Sequence, residues 1–241
     1  MSTSNVRIVA DSNEELLNMV GEMLNVDIVN FENIRHRLIL RAIPAEKAEE
    51  GTIYKTVGDI ALACYILLNG FDSSQEIISV KVDERMLELW NKSKEEVLRV
   101  CELNTLMNFK PVFVDIVHPE SLFLIYVTKS FMDDDYVFPY EEVPQCGLCV
   151  TCKKHLNGSI AIFLPGVKEA VYKYLERDYY IVFTSIHEAM VCKVDDDDQY
   201  EYMAMKEILL SVLKEATAPD EVLTTKVYRY SHQQNAVVEV I

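Results

Sequence analysis

The chain has 241 residues, of which 50% are hydrophobic, and its 39 acidic and 23 basic residues give a formal net charge of −16. This apolar content excludes a disordered protein, and the acidic excess argues against nucleic acid or an anionic membrane as a partner. The longest apolar run, Ile60 to Leu68, has nine residues, whereas a membrane-spanning helix needs about 20. We therefore expect a globular protein that does not cross a membrane.

The N-terminal residues carry neither the basic and apolar regions of an export signal nor an Arg-rich amphipathic pattern. A cytoplasmic location is therefore predicted. Six cysteines in a chain of this length are too few for a disulfide scaffold, so free thiols are expected.

The first half of the chain alternates between helical and strand periodicity. The predicted elements are a helix at 13–24, strands at 36–43, 57–68 and 78–82, a short helix from Asp83, and a helix that a Ser93–Glu96 capping box opens and that ends near Asn104. The strand at 57–68 is apolar on both faces, which favours a central position in its sheet.

The second half begins after an aspartate- and proline-containing stretch, residues 131–145, which we interpret as a linker. Asn157-Gly158 then lies between two strand-like runs, a pattern typical of a two-residue hairpin turn. Further periodicities complete a ββαββαβ order: a helix at 167–175, strands from Tyr179 and Ala189, a helix around 205–213 and strands near the C-terminus.

These elements predict an α+β fold with two subdomains of mixed, largely antiparallel sheet and packed helices. The N-terminal subdomain is expected at 1–130 and the C-terminal one at 146–241, with the linker between them.

Cys146, Cys149, Cys152 and His155 are spaced three apart and offer the ligand types of a structural zinc site. If residues 147–156 form a strand, however, Cys149 and His155 lie about 20 Å apart, too far for one metal. That strand would point Cys146 and Cys152 into the core and Cys149 and His155 to solvent. We favour the strand, and zinc binding remains an alternative.

Ser185, His187 and Glu188 have the residue types of a nucleophilic catalytic site. In an extended segment, however, Ser185 and His187 stand about 6.6 Å apart and Glu188 points away from the histidine. A structural turn is the favoured interpretation, with a binding element or catalysis as alternatives. The sequence has neither a nucleotide-binding glycine motif nor a nucleophile elbow, so no cofactor is expected.

Two aspartate runs, Asp133–Asp135 and Asp195–Asp198, lack the spacing of a calcium loop and are interpreted as solvated loops. Trp90 lies in the apolar stripe of a predicted helix and is expected in the core.

Six stretches also carry a family resemblance: ENIRHRLIL, GDIALACYILL, VDERMLELWNKSKEEVLRVCELNT, KKHLNGSIAIFL, DYYIVFTSIHEAMV and EVLTTKVYRY. Over about residues 29–230 the chain resembles a family of uncharacterised bacterial proteins, a domain of unknown function found mainly in Firmicutes. It is expected to lack that family's usual N-terminal region. The family's S-x-H-E motif falls on Ser185, His187 and Glu188. The resemblance implies the fold and a cytoplasmic location, and it implies no activity.

The leading hypothesis is a non-enzymatic cytoplasmic binding or protein-interaction module, with a protein as its partner and neither nucleic acid nor membrane. The alternatives are a hydrolase that uses Ser185, His187 and Glu188, and a zinc protein that uses Cys146, Cys149, Cys152 and His155. Whether the chain is an enzyme is left open, with a non-enzymatic role favoured.

Overall fold

The computed structural model describes residues 13–69, 77–115, 130, 132–133, 148–194 and 198–240. Helices pack against two antiparallel sheets, so the predicted α+β class is confirmed.

The first sheet is built from the N-terminal half of the chain. Its strands are β1 (Leu38–Pro44), β2 (Tyr54–Val57), β3 (Ile60–Leu67) and β4 (Ser79–Lys81). β3 pairs with the other three strands and is buried along its whole length, which confirms its central position. Both faces of β3 are apolar because each is covered by other elements.

Helices and short 3-10 turns precede or follow these strands. They are α1 (Asn13–Leu24), α2 (Phe31–Ile34), α3 (Glu84–Trp90) and α4 (Lys94–Phe109), with 3-10 turns at Arg35–Arg37 and Ala45–Lys47. The Ser93–Glu96 capping box opens α4 as predicted. The helix continues five residues past Asn104 to Phe109 because Leu106 and Phe109 extend its buried face.

α4 covers the open edge of β1. The backbone N–H of Leu40 donates to the Thr105 hydroxyl at 2.8 Å, and the Asn104 side chain donates to the Leu38 carbonyl at 2.9 Å. Trp90 lies in the core beside α2, where its indole N–H donates to the carbonyl of Ile28 at 2.8 Å. The prediction for Trp90 is therefore confirmed.

The second sheet has the strand order β10-β9-β7-β8-β6-β5. Its strands and the remaining helices are β5 (Pro111–Asp115), β6 (Leu148–Cys152), a 3-10 helix (Gly158–Phe163), α5 (Val167–Leu175), β7 (Tyr179–Ser185), β8 (Glu188–Lys193), α6 (Asp198–Glu215), β9 (Tyr228–Ser231) and β10 (Ala236–Glu239). In the described part of the chain, no helix combines the length and apolar character needed to cross a membrane.

The predicted Asn157-Gly158 hairpin is wrong. A type I′ turn needs a left-handed backbone at both central residues, but only Asn157 adopts one, with φ 53° and ψ 29°. The stretch 158–163 forms the 3-10 helix instead of a strand, and β6 pairs with β5 and β8. The expected ββαββαβ order therefore loses its second strand.

The expected division of β6 into a core face and a solvent face is also wrong. Cys149 and Thr151 are as buried as Leu148, Val150 and Cys152. The reason is that β6 is an interior strand of its sheet and the buried 3-10 helix packs against it.

The two sheets share one hydrophobic core. Leu38 and Leu62 of the first sheet belong to the same buried cluster as Ile160, Tyr179 and Tyr228. The 3-10 helix Gly158–Phe163 contacts β1 of the first sheet as well as β5, β6 and β8 of the second. The predicted boundary at 131–145 lies mostly outside the described residues, and the division into subdomains stays a prediction.

Candidate functional site

The two motifs singled out in the sequence of the second half meet in the structure. Asn157 and Gly158 lie against the β7–β8 turn, which carries Ser185, His187 and Glu188. Glu221, from the segment after α6, lies on the other side of the His187 ring. We call this contact of Thr151, Asn157, Gly158, His187 and Glu221 the junction.

The imidazole of His187 is held at both nitrogens. Nδ1 accepts the backbone N–H of Asn157 at 3.1 Å, and Nε2 lies 3.3 Å from a carboxylate oxygen of Glu221. This pattern assigns the ring hydrogen to Nε2, which donates to Glu221. The ring therefore connects the 157 loop to the 221 segment.

Gly158 is required by space at the junction. A Cβ on this residue would overlap the hydroxyl of Thr151 and the carbonyl oxygen of His187, and would lie 2.8 Å from the backbone nitrogen of Cys152. That same Thr151 hydroxyl donates to the His187 carbonyl at 2.8 Å. Glycine is present because two backbones approach each other here.

Asn157 also connects the junction to the first sheet. Its side-chain N–H₂ donates to the carbonyl of Leu40 in β1 at 3.1 Å, while its side-chain oxygen is buried without a hydrogen-bond partner. The residue is 2% exposed.

The structure brings Ser185 and His187 together, but not as a proton-transfer pair. The Ser185 hydroxyl accepts the backbone N–H of His187 at 3.0 Å, which is the geometry of a turn. Within the described residues, the partners of the His187 ring nitrogens are Asn157 and Glu221. For nucleophilic catalysis, a ring nitrogen of His187 would have to contact the Ser185 hydroxyl and remove its proton.

Glu188 points to a different set of groups. One carboxylate oxygen accepts the hydroxyl of Thr184 at 2.9 Å, and the other accepts the thiol of Cys149 at 3.7 Å. Burial, with the Glu188 carboxylate beside it, raises the pKa of the Cys149 thiol well above its ordinary value. The thiolate form that a nucleophile needs is therefore disfavoured.

The remaining zinc candidates point to separate partners. The Cys152 thiol donates to the carbonyl of Leu156 at 3.1 Å, Cys149 contacts Glu188, and His155 is exposed in a left-handed turn. Cys146 lies outside the described residues. Among the described residues, no group of three or more His, Cys, Asp or Glu could hold a metal ion.

Only part of each aspartate run is described. Asp133 accepts the backbone N–H of Ser130 at 2.8 Å and pairs with Lys110 at 3.0 Å. The other residues of Asp133–Asp135 and the first three of Asp195–Asp198 lie outside the described residues.

A second polar contact between the sheets involves Asp59, in the β2–β3 turn. Its carboxylate accepts the hydroxyls of Tyr228 and of Thr224, the latter at 2.9 Å. Burial, followed by the hydrogen bond to Asp59, raises the pKa of Tyr228 above its usual range. Asp59 and Tyr228 are far apart in the chain, so sequence spacing gave no signal for this contact.

The outer face of α6 leaves several large apolar side chains exposed. The inner face packs Met205 and Leu209 against Tyr180 and Val182 of β7. On the outer face, Tyr200 is 72% exposed, Met203 59% and Leu210 47%. Lys206, Glu207, Ser211 and Lys214 line a shallow groove together with these apolar side chains.

The spacing of these residues places them on one side of α6. Positions 200, 203, 207, 210 and 214 recur every three or four residues, and the charged Glu207 and Lys214 alternate there with the apolar Tyr200, Met203 and Leu210. The sequence carries a signal for this outer face, because α6 has apolar residues on both faces. The prediction of the helix uses only the stripe that faces the core.

A comparison with family models shows which protein family the chain belongs to. A model described as a family of unknown function, DUF5688, matches residues 5–232. The chain belongs to this family.

The match to DUF5688 begins earlier than the resemblance seen at residues 29–230, and it includes α1. Searches of curated proteins and of solved structures found no match. The functional interpretation of this DUF5688 chain therefore depends on its own residues.

Proposed function

We propose that this DUF5688 chain is a non-enzymatic module that binds a partner protein through the outer face of α6. The observation that carries the proposal is the exposed apolar stripe of Tyr200, Met203 and Leu210. Large apolar side chains that lie exposed together and are bordered by polar residues are typical of protein contacts. Aromatic residues and Met are enriched at such interfaces.

Charge indicates the kind of partner. The chain carries −16, and α6 contributes four acidic residues against Lys206 and Lys214. A second copy of the chain would bring another large negative charge to the same surface, which opposes self-association. We infer a partner that presents an apolar surface bordered by Lys and Arg.

The hydrogen bonds of the S-x-H-E motif support a structural role for it. His187 and Ser185 use their polar atoms to hold the turn and the 157 loop, and Glu188 bonds to Thr184 and Cys149. These contacts favour a binding module over a hydrolase.

A cytoplasmic location and an origin in Firmicutes belong to the same proposal. What supports the location is the family resemblance of the six sequence stretches, which implies it. The bacterial origin depends on the resemblance of the six sequence stretches alone.

The experiment places a photo-crosslinking residue at Met203 of the full chain, in lysate of the organism that encodes it. The matched control carries the same residue at Leu89, which is 46% exposed on α3. We expect a basic polypeptide that crosslinks from position 203 and not from position 89, identified by mass spectrometry.

The purified partner is then titrated against variants. Leu210→Glu should weaken binding at least about tenfold, because a charge replaces an apolar contact. Leu89→Glu, at nearly equal exposure, should bind like the wild type. Three results would contradict the proposal: no product specific to position 203, a product made of two copies of this chain, or equal binding by Leu210→Glu.

A separate assay addresses the hydrolase alternative. The purified chain is incubated with a panel of chromogenic esters, and the binding proposal expects no turnover above buffer. Turnover that disappears in Ser185→Ala, with the fold intact by circular dichroism, would support the enzyme instead.

A further inference from the structure

The segment around β1 concentrates positive charge in an otherwise acidic chain. Arg35, His36, Arg37 and Arg41 lie within seven residues of one another. Arg35 pairs with Glu32 on the surface at 3.0 Å. Arg37 and Arg41 turn toward the first sheet.

Arg41 is buried in the first sheet. It is 8% exposed. One terminal nitrogen donates to the Ser79 hydroxyl at 3.0 Å, and the guanidinium lies 5.0 Å from the centre of the Tyr65 ring. Its Nε is buried without a hydrogen-bond partner, and among the described residues no acid forms an ion pair with it.

Arg37 reaches toward the same place. One of its terminal nitrogens lies 3.4 Å from the carbonyl oxygen of Leu67, and Leu67 is the residue directly opposite Ser79 in the β3–β4 pair. The two guanidinium groups therefore bond to the two residues of one opposed pair, Arg37 to Leu67 and Arg41 to Ser79. The Nε of Arg37 is also buried without a partner.

A buried guanidinium without a counter-charge is unfavourable. Burial lowers the pKa of Arg41, yet arginine stays protonated in proteins. A buried charge is normally paired, because removing an ion from water is strongly unfavourable. An anion at this position would supply a counter-charge that the described part of the chain does not provide.

The surrounding groups indicate which anion fits. Two guanidinium groups carry two positive charges and offer several N–H donors, which is the set that binds phosphate oxygens. The Ser79 hydroxyl accepts from Arg41, so its own hydrogen can be donated to a ligand. Ser79 and Arg37 are half-buried while Arg41 is buried, so Ser79 and Arg37 are partly accessible to solvent.

We propose that Arg37, Arg41 and Ser79 form a binding site for a phosphate group, either free or esterified in a small molecule. The site lies on the first sheet, and α6 packs on the second. It is therefore independent of the proposed protein-binding surface.

The test titrates the full chain with inorganic phosphate, and with methyl phosphate as the ester, by isothermal calorimetry and thermal unfolding. Sodium chloride at equal ionic strength is the control. Both phosphates, or one of them, should bind with one site per chain and raise the unfolding temperature in a saturable manner. Tighter binding of the ester identifies a phosphorylated compound as the ligand, and tighter binding of inorganic phosphate identifies the free ion.

Arg41→Met is the informative variant. The apolar chain has a similar length, so the phosphate-free protein should keep its stability or gain some, because an unpaired buried charge is removed. Phosphate binding should weaken at least about tenfold. Ser79→Ala, at a half-buried position, provides a second variant that should fold and should also weaken binding.

Three outcomes would overturn the proposal. The first is the absence of binding by either phosphate beyond the chloride control. The second is equal binding by Ser79→Ala, Arg41→Met and the wild type. The third is a large loss of phosphate-free stability in Arg41→Met, which would mean that a carboxylate of the chain itself neutralises Arg41.

Discussion

At the scale of single residues, the junction is a close contact between backbones, in which Gly158 packs against the Thr151 hydroxyl and the His187 carbonyl. The Asn157-Gly158 pattern predicts a hairpin turn, but the structure places both residues at this contact. The sequence shows that position 158 is glycine. It does not show whether a left-handed backbone or a close contact requires glycine there. His187 and Glu221 are 34 residues apart, so their contact could not be predicted from spacing.

Gly158→Ala should destabilise the protein by about 3 kcal/mol or more, since the added methyl group overlaps a hydroxyl and a backbone carbonyl that cannot both move away. The measurement is urea unfolding followed by circular dichroism. Gly166→Ala is the matched control: Gly166 has φ +81° and open space around its Cα, so only backbone strain of about 1 kcal/mol is expected. Equal losses in the two variants would contradict the steric explanation.

Substitutions at Thr105 test the buried hydrogen bond between its hydroxyl and the backbone N–H of Leu40. Thr105→Val keeps the shape but leaves the N–H of Leu40 without its acceptor, which should cost about 2 kcal/mol. Thr105→Ser retains the hydroxyl and should lose less than half as much. The comparison uses unfolding free energies. A valine variant as stable as the serine variant would show that the N–H finds another partner.

At the scale of elements, most helices and strands followed from periodicity and capping signals. The apolar periodicity predicts α1, α5 and α6, and the Ser93–Glu96 capping box predicts the start of α4. The 3-10 helix at 158–163 was missed because its residues, apolar and partly β-branched, have the composition of a buried strand. Only the packing of this segment between the two sheets determines that it forms a 3-10 helix and not a strand.

β7 and β9 carry tyrosines whose ionisation should affect stability. Burial raises the pKa of Tyr179 above its ordinary value of 10.0. Because the folded state holds this proton more tightly than the unfolded state, the contribution is complete below about pH 9 and is lost as the pH rises further. Stability should fall in alkaline solution.

Tyr179→Phe removes this contribution. Above pH 10 the unfolding free energy of the variant should fall less steeply, by up to about 1.4 kcal/mol per pH unit. At neutral pH the variant loses the hydrogen bond from the Tyr179 hydroxyl to the Lys168 carbonyl. Urea unfolding at neutral pH gives the loss of the hydrogen bond, and unfolding at several alkaline pH values gives the slope of the unfolding free energy with pH. Equal slopes for the variant and the wild type would contradict the raised pKa of Tyr179.

At the scale of the whole molecule, the sequence predicted the fold class, and it could not predict how the two sheets are joined. Junction residues Asn157 and His187 contact distant segments, as do Asp59 and Tyr228. Long-range contacts of this kind leave no periodic signal in the chain. The exposed side chains on α6 do leave a periodic signal, whereas Arg37 and Arg41 are visible in the sequence only as part of a basic cluster.

The shared core predicts one unfolding transition for both sheets. Trp90 is the only tryptophan and packs beside Phe31 in the N-terminal half, while the stacked Tyr179 and Tyr230 lie in the second sheet. Tryptophan fluorescence and tyrosine near-UV circular dichroism should therefore give the same midpoint in urea. Two separate midpoints would support subdomains that unfold independently.

The position of Asn157 has a chemical consequence over time. Asparagine followed by glycine is the sequence most prone to deamidation, which requires the glycine nitrogen to attack the asparagine side chain. Here that side chain is buried and held by Leu40, and the glycine is packed against Thr151. The folded chain should resist this ageing reaction and the unfolded chain should not, so deamidation at position 157, measured by peptide mass spectrometry, records how long a sample has spent unfolded.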